Sequence, residues 1–450
     1  MSDASPLTSR CEAALAPRLE QRILPGLERM HSALAALDHP ERALRSALVL
    51  GTNGKGSAAA LLASILARHG VRVGLYTSPH LVCVEERIVV GGEAIPHDRL
   101  LALIGELDRF PRLSYFETLT AVALLHFARA RVEVAVLEAG LGGRWDATNA
   151  EAPDISLLTN VGTDHQSWLG ATRAEIAAEK AAALRGREAI VGAWDDEVEP
   201  TIRASADPAT PLSLASAWAS VSVARGPRPV ASPPAHPRPP GTRVAPTAGH
   251  GLRATGLDSQ VVSFDVAGIR GNATLPLLGR HQEANLTLAL AGAAALAKHD
   301  IVPVLRANAI SQGIETTSWP GRLQWVDWRG RRLLLDGAHN REATDALASA
   351  LDHLGLSGRI NLLFSCLADK PLAAMAGVLR PRVGRVLVAT LDSPRATPVG
   401  ELAAAMPGCE AYESVAAALA HLPEDAPTLV TGSLRLVGDV LRLIGAGEGA

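Results

Sequence analysis

The sequence predicts an α/β protein with two mostly parallel sheets, on three observations: recurring short apolar runs, helical intervals between them, and one abrupt change of texture. The runs are Ser46–Leu50, Val71–Tyr76, Val132–Leu137, Ile155–Thr159, Arg332–Leu335, Asn361–Phe364, Val386–Thr390 and Thr428–Val430. Each is rich in Leu or β-branched residues and leads through a glycine or polar turn into a helical pattern. Strands buried on both faces read this way, and the helical intervals suit right-handed crossovers. The change of texture falls at Arg225–His250, which holds eight prolines among Ser, Ala, His and Gly and has no apolar periodicity. That composition cannot bury a core and reads as an inserted loop. Leu257–Val266 and Arg270–Leu278 then alternate as an antiparallel hairpin does, and helical sequence follows through Ile314. At 450 residues the chain is long for one hydrophobic core. Thr316–Gly321, with Trp319 and Pro320, is the expected linker. It separates a first domain, 1–315, which carries the 225–250 insertion, from a second, 322–450.

Composition narrows the function. The 43 basic and 46 acidic side chains nearly cancel, so neither nucleic acid nor an anionic membrane is an expected partner. Any anionic ligand must be held by a local site. The apolar run Leu286–Ala297 is too short to cross a bilayer and reads as a buried helix. Asp3, Glu12 and Glu20 interrupt the N-terminus, which lacks the apolar core of a signal peptide. Cys11, Cys83, Cys366 and Cys409 lie far apart and are expected to be free, buried thiols of a cytoplasmic protein. A monomer is the simplest assembly.

The first chemical signal is Gly51-Thr52-Asn53-Gly54-Lys55-Gly56-Ser57, between the run Ser46–Leu50 and a helix from Ala58 to about His69. Glycines let backbone N–H groups approach phosphate oxygens, a helix N-terminus adds positive potential, and Lys55 adds a point charge. Ser57 can offer its hydroxyl to Mg²⁺. The spacing differs from the standard phosphate loop, with too few residues before Gly-Lys and a glycine after it. A plain glycine-rich strand-to-helix turn is the alternative.

The string GTNGKGS resembles the ATP loop of the Mur ligase superfamily, and specifically of the dihydrofolate synthase/folylpolyglutamate synthase family. Further blocks extend the resemblance in order: Thr77–Leu81 with Glu86–Ile88, Tyr115–Glu117 with Thr120-Ala121, Glu138–Arg144 with Asp146–Asn149, and Asp164-His165 with Glu179–Ala181. His281-Gln282 with Asn285, Pro320–Gln324 and Leu335–Asn340 continue it; Asp369-Lys370 and Thr431–Ser433 also match but receive no role. The resemblance implies a P-loop-type Mur ligase central domain followed by a smaller Rossmann-like α/β domain. It implies two Mg²⁺ sites drawing on Ser57, Ser78, Glu138 and His165, with ATP as co-substrate and K⁺ as an optional further cation. Glu138 ends the run Val132–Leu137, at the strand edge where α/β proteins place ligands. A lone carboxylate there is otherwise a helix cap.

The matching family lysine is carbamylated, which assigns that modification to Lys180. Taken alone, Lys180 would be a solvated lysine on an amphipathic helix, Arg173 to Arg185. Ala182 stands where the family usually has glycine. Asn285, Arg322, Asp336 and His339 are implied on the nucleotide: an amide for the adenine edge, a planar charge for phosphate, a carboxylate for ribose. They straddle the expected linker, so ATP is expected between the domains. The pteridine side is implied at Leu27, Ser114, Phe116, Glu117, Trp145, Asp146 and Ala147, with Trp145 where the family more often has leucine.

The implied activity joins L-glutamate to dihydropteroate or to folates through an acyl phosphate, with Lys55, Lys180 and His165 in the catalytic set. Three alternatives stand beside it: a folylpolyglutamate synthase without dihydropteroate activity, a Mur-type cell-wall ligase, and a non-enzymatic ATP-binding protein.

Overall fold

A computed structural model of the chain describes residues 10–18, 25–223 and 259–446. The proline-rich segment Arg225–His250 and the start of the expected hairpin at Leu257 lie outside the described residues. The chain forms two compact units: residues 1–221 with 264–271 and 284–314, and residues 222–263 with 272–283 and 315–450.

The first unit is organised on β1 (Arg45–Leu50), β2 (Val73–Tyr76), β3 (Ile88–Val90), β4 (Glu93–Ala94), β5 (Val134–Glu138), β6 (Ile155–Leu158), β7 (Glu188–Val191) and β8 (Leu212–Leu214). Their order across the sheet is β4-β3-β2-β5-β1-β6-β7-β8. The pairs from β2 through β8 are parallel, while β3 and β4 add an antiparallel edge. All residues of β5 and β6, and all but the first two of β1, are buried, as their continuous apolar sequences require. Truncating one such side chain, Leu48→Ala for example, removes roughly 2–5 kcal/mol.

The helices α1 (Arg10–Leu15), α2 (Glu28–Ala36), α3 (Lys55–Arg68), α4 (His97–Glu106), α5 (Tyr115–Arg129), α6 (Gln166–Leu169) and α7 (Arg173–Ala181) belong to this unit. Local chemistry starts α5 and α7. Ser114 and Thr172 each accept from the backbone N–H three residues on, and Glu117 and Glu175 bond back to them. Helix α7 stops at Ala181, four residues before the expected end.

A small sheet of order β11-β10-β9 joins β9 (Ala219–Val223), β10 (Gln260–Val266) and β11 (Ile269–Leu275). Ala267 and Gly268, at φ 50° and 86°, make the two-residue turn of the expected hairpin. The run Leu286–Ala297 lies within the helix His281–Lys298, and no described helix is long and apolar enough to cross a membrane.

The second unit carries β12 (Gln324–Trp328), β13 (Arg331–Leu335), β14 (Asn361–Phe364), β15 (Val386–Ala389), β16 (Glu410–Tyr412) and β17 (Thr428–Thr431), in the order β12-β13-β17-β14-β15-β16. Only the edge pair β12–β13 is antiparallel. The four cysteines are free, yet only Cys11 and Cys366 are fully buried; Cys83 and Cys409 are half-buried, because each sits in a loop.

Candidate active site

In the first sheet, β1 lies between β5 and β6, and the three parallel strands end at one edge. Val49 pairs with Glu138 and Leu50 with Leu158. The turns after them are therefore neighbours, as expected where α/β sheets bind ligands.

Residues 51–54 cross this edge. Gly51 and Gly54 adopt φ of 142° and 85°, and each position excludes a side chain sterically as well. A Cβ on Gly51 would fall 1.9 Å from Thr159 Oγ1, and one on Gly54 would fall 2.2 Å from Asn285 Oδ1. Gly54 is the N-cap of α3 and brings no capping side chain of its own to that helix. Its first-turn N–H groups and its positive dipole end thus remain available to an anion.

The loop is braced from the β6 side. Asn160 Oδ1 accepts from Asn53 N–H at 3.1 Å, and its Nδ2 donates to Asn53 O at 3.0 Å. Thr159 Oγ1 donates to the same carbonyl at 2.7 Å, and Thr52 Oγ1 accepts from Gly162 N–H at 2.9 Å. Sequence reading missed Thr159 and Asn160 as site residues. The signal was present, since both stand just after a buried parallel strand.

Two lysines converge on this loop. Lys55 Nζ donates to Gly51 O and Thr52 O, each at 3.1 Å. Lys180, reaching from α7, donates to Gly51 O at 2.9 Å. Only 3% of Lys180 is exposed, so it is no surface lysine. Burial, reinforced by the charge of Lys55, pulls its ammonium down to about 7 against the opposing pull of Asp164 and Asp146. Near neutral pH much of this amine is therefore uncharged and nucleophilic.

Oxygen donors gather at the same edge. Ser57 Oγ, in the first turn of α3, is buried without a hydrogen-bond partner, the kind of orphaned atom that a metal or ligand satisfies. Glu138 closes β5 at 4% exposure, and its Oε2 accepts from Ser78 N–H at 2.9 Å. His165 occupies a left-handed position, φ 54°, and its imidazole lies 3.9 Å from the Asp164 carboxylate. The oxygen donors Ser57 and Glu138 are of the kind a hard divalent cation takes.

The residues implied on the pteridine side divide into two groups. Phe116 packs over Gly140, where a Cβ would meet its ring at 2.6 Å, and lies 5.9 Å from the Tyr76 ring. Trp145 is half exposed, while Ala147 is buried. These are apolar surfaces. The polar members mostly serve the fold. Ser114 and Glu117 form the α5 cap, and Glu117 also holds Arg29 of α2 at 2.8 Å, two residues beyond Leu27. Asp146 accepts from Leu141 N–H at 2.8 Å and Thr148 N–H at 3.0 Å, and burial raises its carboxyl. In this structure it organises the 141–148 turn.

The second unit assembles Arg322, Asp336 and His339 around the turn after β13. Asp336 accepts from Leu323 N–H at 3.0 Å and Ala338 N–H at 2.9 Å, and burial raises its carboxyl against the pull of Arg322 and His281. His339 Nδ1 contacts Gly337 O at 2.8 Å, and Arg322 donates to Gly321 O at 3.1 Å. Asn285 belongs to the first unit, against Gly54.

Comparison with known proteins agrees with this geometry. Residues 49–211 match the Mur ligase middle domain, and residues 321–434 match the Mur ligase, glutamate ligase domain. The dihydrofolate synthase/folylpolyglutamate synthase of Bacillus subtilis is 32% identical over 393 residues, 84% of each chain. A probable bifunctional folylpolyglutamate synthase/dihydropteroate synthase of Haloferax volcanii is 33% identical over 437 residues. That match covers 93% of this chain and 48% of the relative, so the chain spans about half of that protein. Among solved structures, Escherichia coli FolC in complex with DHPP and ADP superposes with a TM-score of 0.79 at 30% identity, over 99% of both chains.

Proposed function

The chain belongs to the dihydrofolate synthase/folylpolyglutamate synthase family of Mur ligases, and from that premise we propose that it is an ATP-dependent ligase joining L-glutamate to folate-type carboxylates. Dihydropteroate and reduced folates are both substrates in this reading. The observation that carries it is the uncapped head of α3 behind a braced glycine loop, with a buried lysine 2.9 Å from that loop.

The reaction runs in two stages. The substrate carboxylate attacks the γ-phosphorus of ATP, forming an acyl phosphate and releasing ADP. The glutamate amine then attacks the acyl carbonyl, and the tetrahedral adduct collapses to the amide and inorganic phosphate, with a proton passing to solvent. Little covalent chemistry falls to the protein, so its contribution is positioning and charge compensation. The loop 51–57 receives the phosphates on backbone N–H groups, and Lys55 turns from its carbonyl partners toward them. Asn285, lying against Gly54, adds an amide to nucleotide recognition on the first unit. Phe116 and Trp145 offer flat apolar surfaces for the pteridine, with Leu27 as a further apolar contact.

In this reading Ser57, Ser78 and Glu138, with His165 as a nitrogen donor, would hold Mg²⁺, which would neutralise phosphate charge when bound. We further propose that Lys180 is carbamylated: its neutral amine adds to CO₂, forming an N–C bond and releasing a proton. The product exchanges a buried cation for an anion, which suits a site that gathers metal ions.

The test is ADP release by the purified protein with dihydropteroate or with tetrahydrofolate, each with and without glutamate. Release that requires both glutamate and a pteroate acceptor is the expected result. Activity with tetrahydrofolate alone would reduce the reading to a folylpolyglutamate synthase. ADP release indifferent to both would favour a plain ATPase, and ATP binding with no ADP release under any condition would favour a non-enzymatic ATP-binding role.

A further inference from the structure

Away from the phosphate loop, three side chains from separate helical segments meet at one point. Cys11 comes from α1, His97 opens α4, and Glu85 lies in the short 3₁₀ turn Val84–Arg87 before β3. Cys11 Sγ is 3.5 Å from His97 Nδ1 and 4.0 Å from Nε2, and His97 Nδ1 is 2.7 Å from Glu85 Oε1. One donor atom from each of the three lies within 4.8 Å of the others, and this is the one such His/Cys/carboxylate trio among the described residues. Tetrahedral zinc holds thiolate, imidazole and carboxylate donors about 3.4–3.6 Å apart. The Sγ–Nδ1 separation already has that value. The Nδ1–Oε1 pair need only lengthen by about 0.7 Å as the metal replaces the proton between them.

We propose that Cys11, Glu85 and His97 form a structural zinc site that ties α1 and α4 to the segment following Ser78. The donor set selects the metal. A thiolate with an imidazole favours Zn²⁺ over Mg²⁺ or Ca²⁺, which prefer oxygen alone, so this site differs in kind from the Ser57–Glu138 edge. Access is open on one side: Cys11 is fully buried, whereas the His97 side chain is 40% exposed. Binding exchanges the Sγ–H bond for a Sγ–Zn bond, and the proton leaves to water.

The site would be structural in effect. Helix α1 has six residues, too few to hold its place by helical propensity. Glu85 is followed by Glu86, whose carboxylate holds the N–H groups of Leu81, Val82 and Cys83 at 2.8–3.1 Å. A metal on Glu85 therefore steadies the loop that runs back to Ser78.

The experiment is a Co²⁺ titration of the full-length, chelator-stripped protein, read by the near-ultraviolet charge-transfer band that only a thiolate–Co²⁺ bond produces. One equivalent should raise the band, Zn²⁺ should abolish it, and Zn²⁺ should raise the melting temperature. Cys11→Ser should lose the band, and His97→Gln should weaken Co²⁺ binding about 10-fold or more. Cys83→Ser should keep the band, which excludes the neighbouring half-buried thiol as its source. A wild-type protein without the band overturns the proposal, whatever the variants do. So does a band that survives Cys11→Ser.

Discussion

Two strand-to-helix turns of this chain share a local topology and differ in how they are closed. After β1, residues 51–54 enter α3 through Gly54, an N-cap with no side chain of its own to accept from the head of that helix. After β13, residues 336–340 enter the helix Arg341–His353 through Asn340, whose Oδ1 accepts from Ala343 N–H at 2.9 Å. Asp336 adds two further backbone bonds to the second turn. In the first, charged side chains instead donate to carbonyls, with Lys55 and Lys180 both on Gly51 O. One N-cap supplies an acceptor to its helix, and the other, a glycine, supplies none. The difference teaches that a glycine loop becomes a phosphate site by what it omits, a cap, as much as by the lysine it carries.

The largest break in that comparison should come from Lys55→Ala. Its charge rests on the loop carbonyls of Gly51 and Thr52, within reach of a bound phosphate, so turnover should fall by about 10³-fold with melting temperature little changed. Near-normal turnover at saturating ATP would remove the phosphate-loop assignment. Lys180→Ala should be somewhat less severe, about 10²-fold, and partly rescued by acetate in the vacated space. An intact-mass measurement on active enzyme should show the added CO₂. An active enzyme whose Lys180 carries no modification would return this residue to a purely packing role.

A smaller effect should appear with pH. The Lys180 ammonium has a folded value of about 7 against 10.5 when unperturbed. Activity should therefore decline as pH falls through 7, when the amine protonates and no longer carries CO₂. In CO₂-free buffer the unfolded chain holds the extra proton between about 7 and 10.5, so stability should rise across that window. Lys180→Met should flatten the rise in a melting series from pH 6 to 9; an equal slope in both proteins would contradict the assignment.

The smallest effect belongs to the closed turn. Asn340→Ala removes a cap and should cost about 1 kcal/mol of stability, with KM for ATP little changed. A selective loss of ATP affinity would show that the second turn also receives the nucleotide through its helix end.

Parts of this architecture were written in local sequence. The eight expected strands all form, with ends displaced by no more than about two residues, because a strand buried on both faces must be continuously apolar. One strand that escaped notice has its polarity resolved at a distance. β7 begins at Glu188, which is buried against Lys298 at 2.9 Å and His299 at 3.2 Å, over a hundred residues away. The glycine loop was equally legible, since it is set within a few residues, whereas the caps at Ser114 and Thr172 went unread although they too are local.

By itself, then, the sequence determined the order of elements, the open turn at Gly51–Gly54 and the family resemblance. Tertiary structure alone decided which polar groups are spent on the fold. Glu117 and Asp146 are satisfied within their own neighbourhoods and with Arg29. Lys180 reads as a surface residue in its helix, yet it is buried because α7 lays it against a carbonyl 129 residues earlier. Burial, and the loss of charge that follows from it, depends on what packs around a side chain, and no local pattern encodes that.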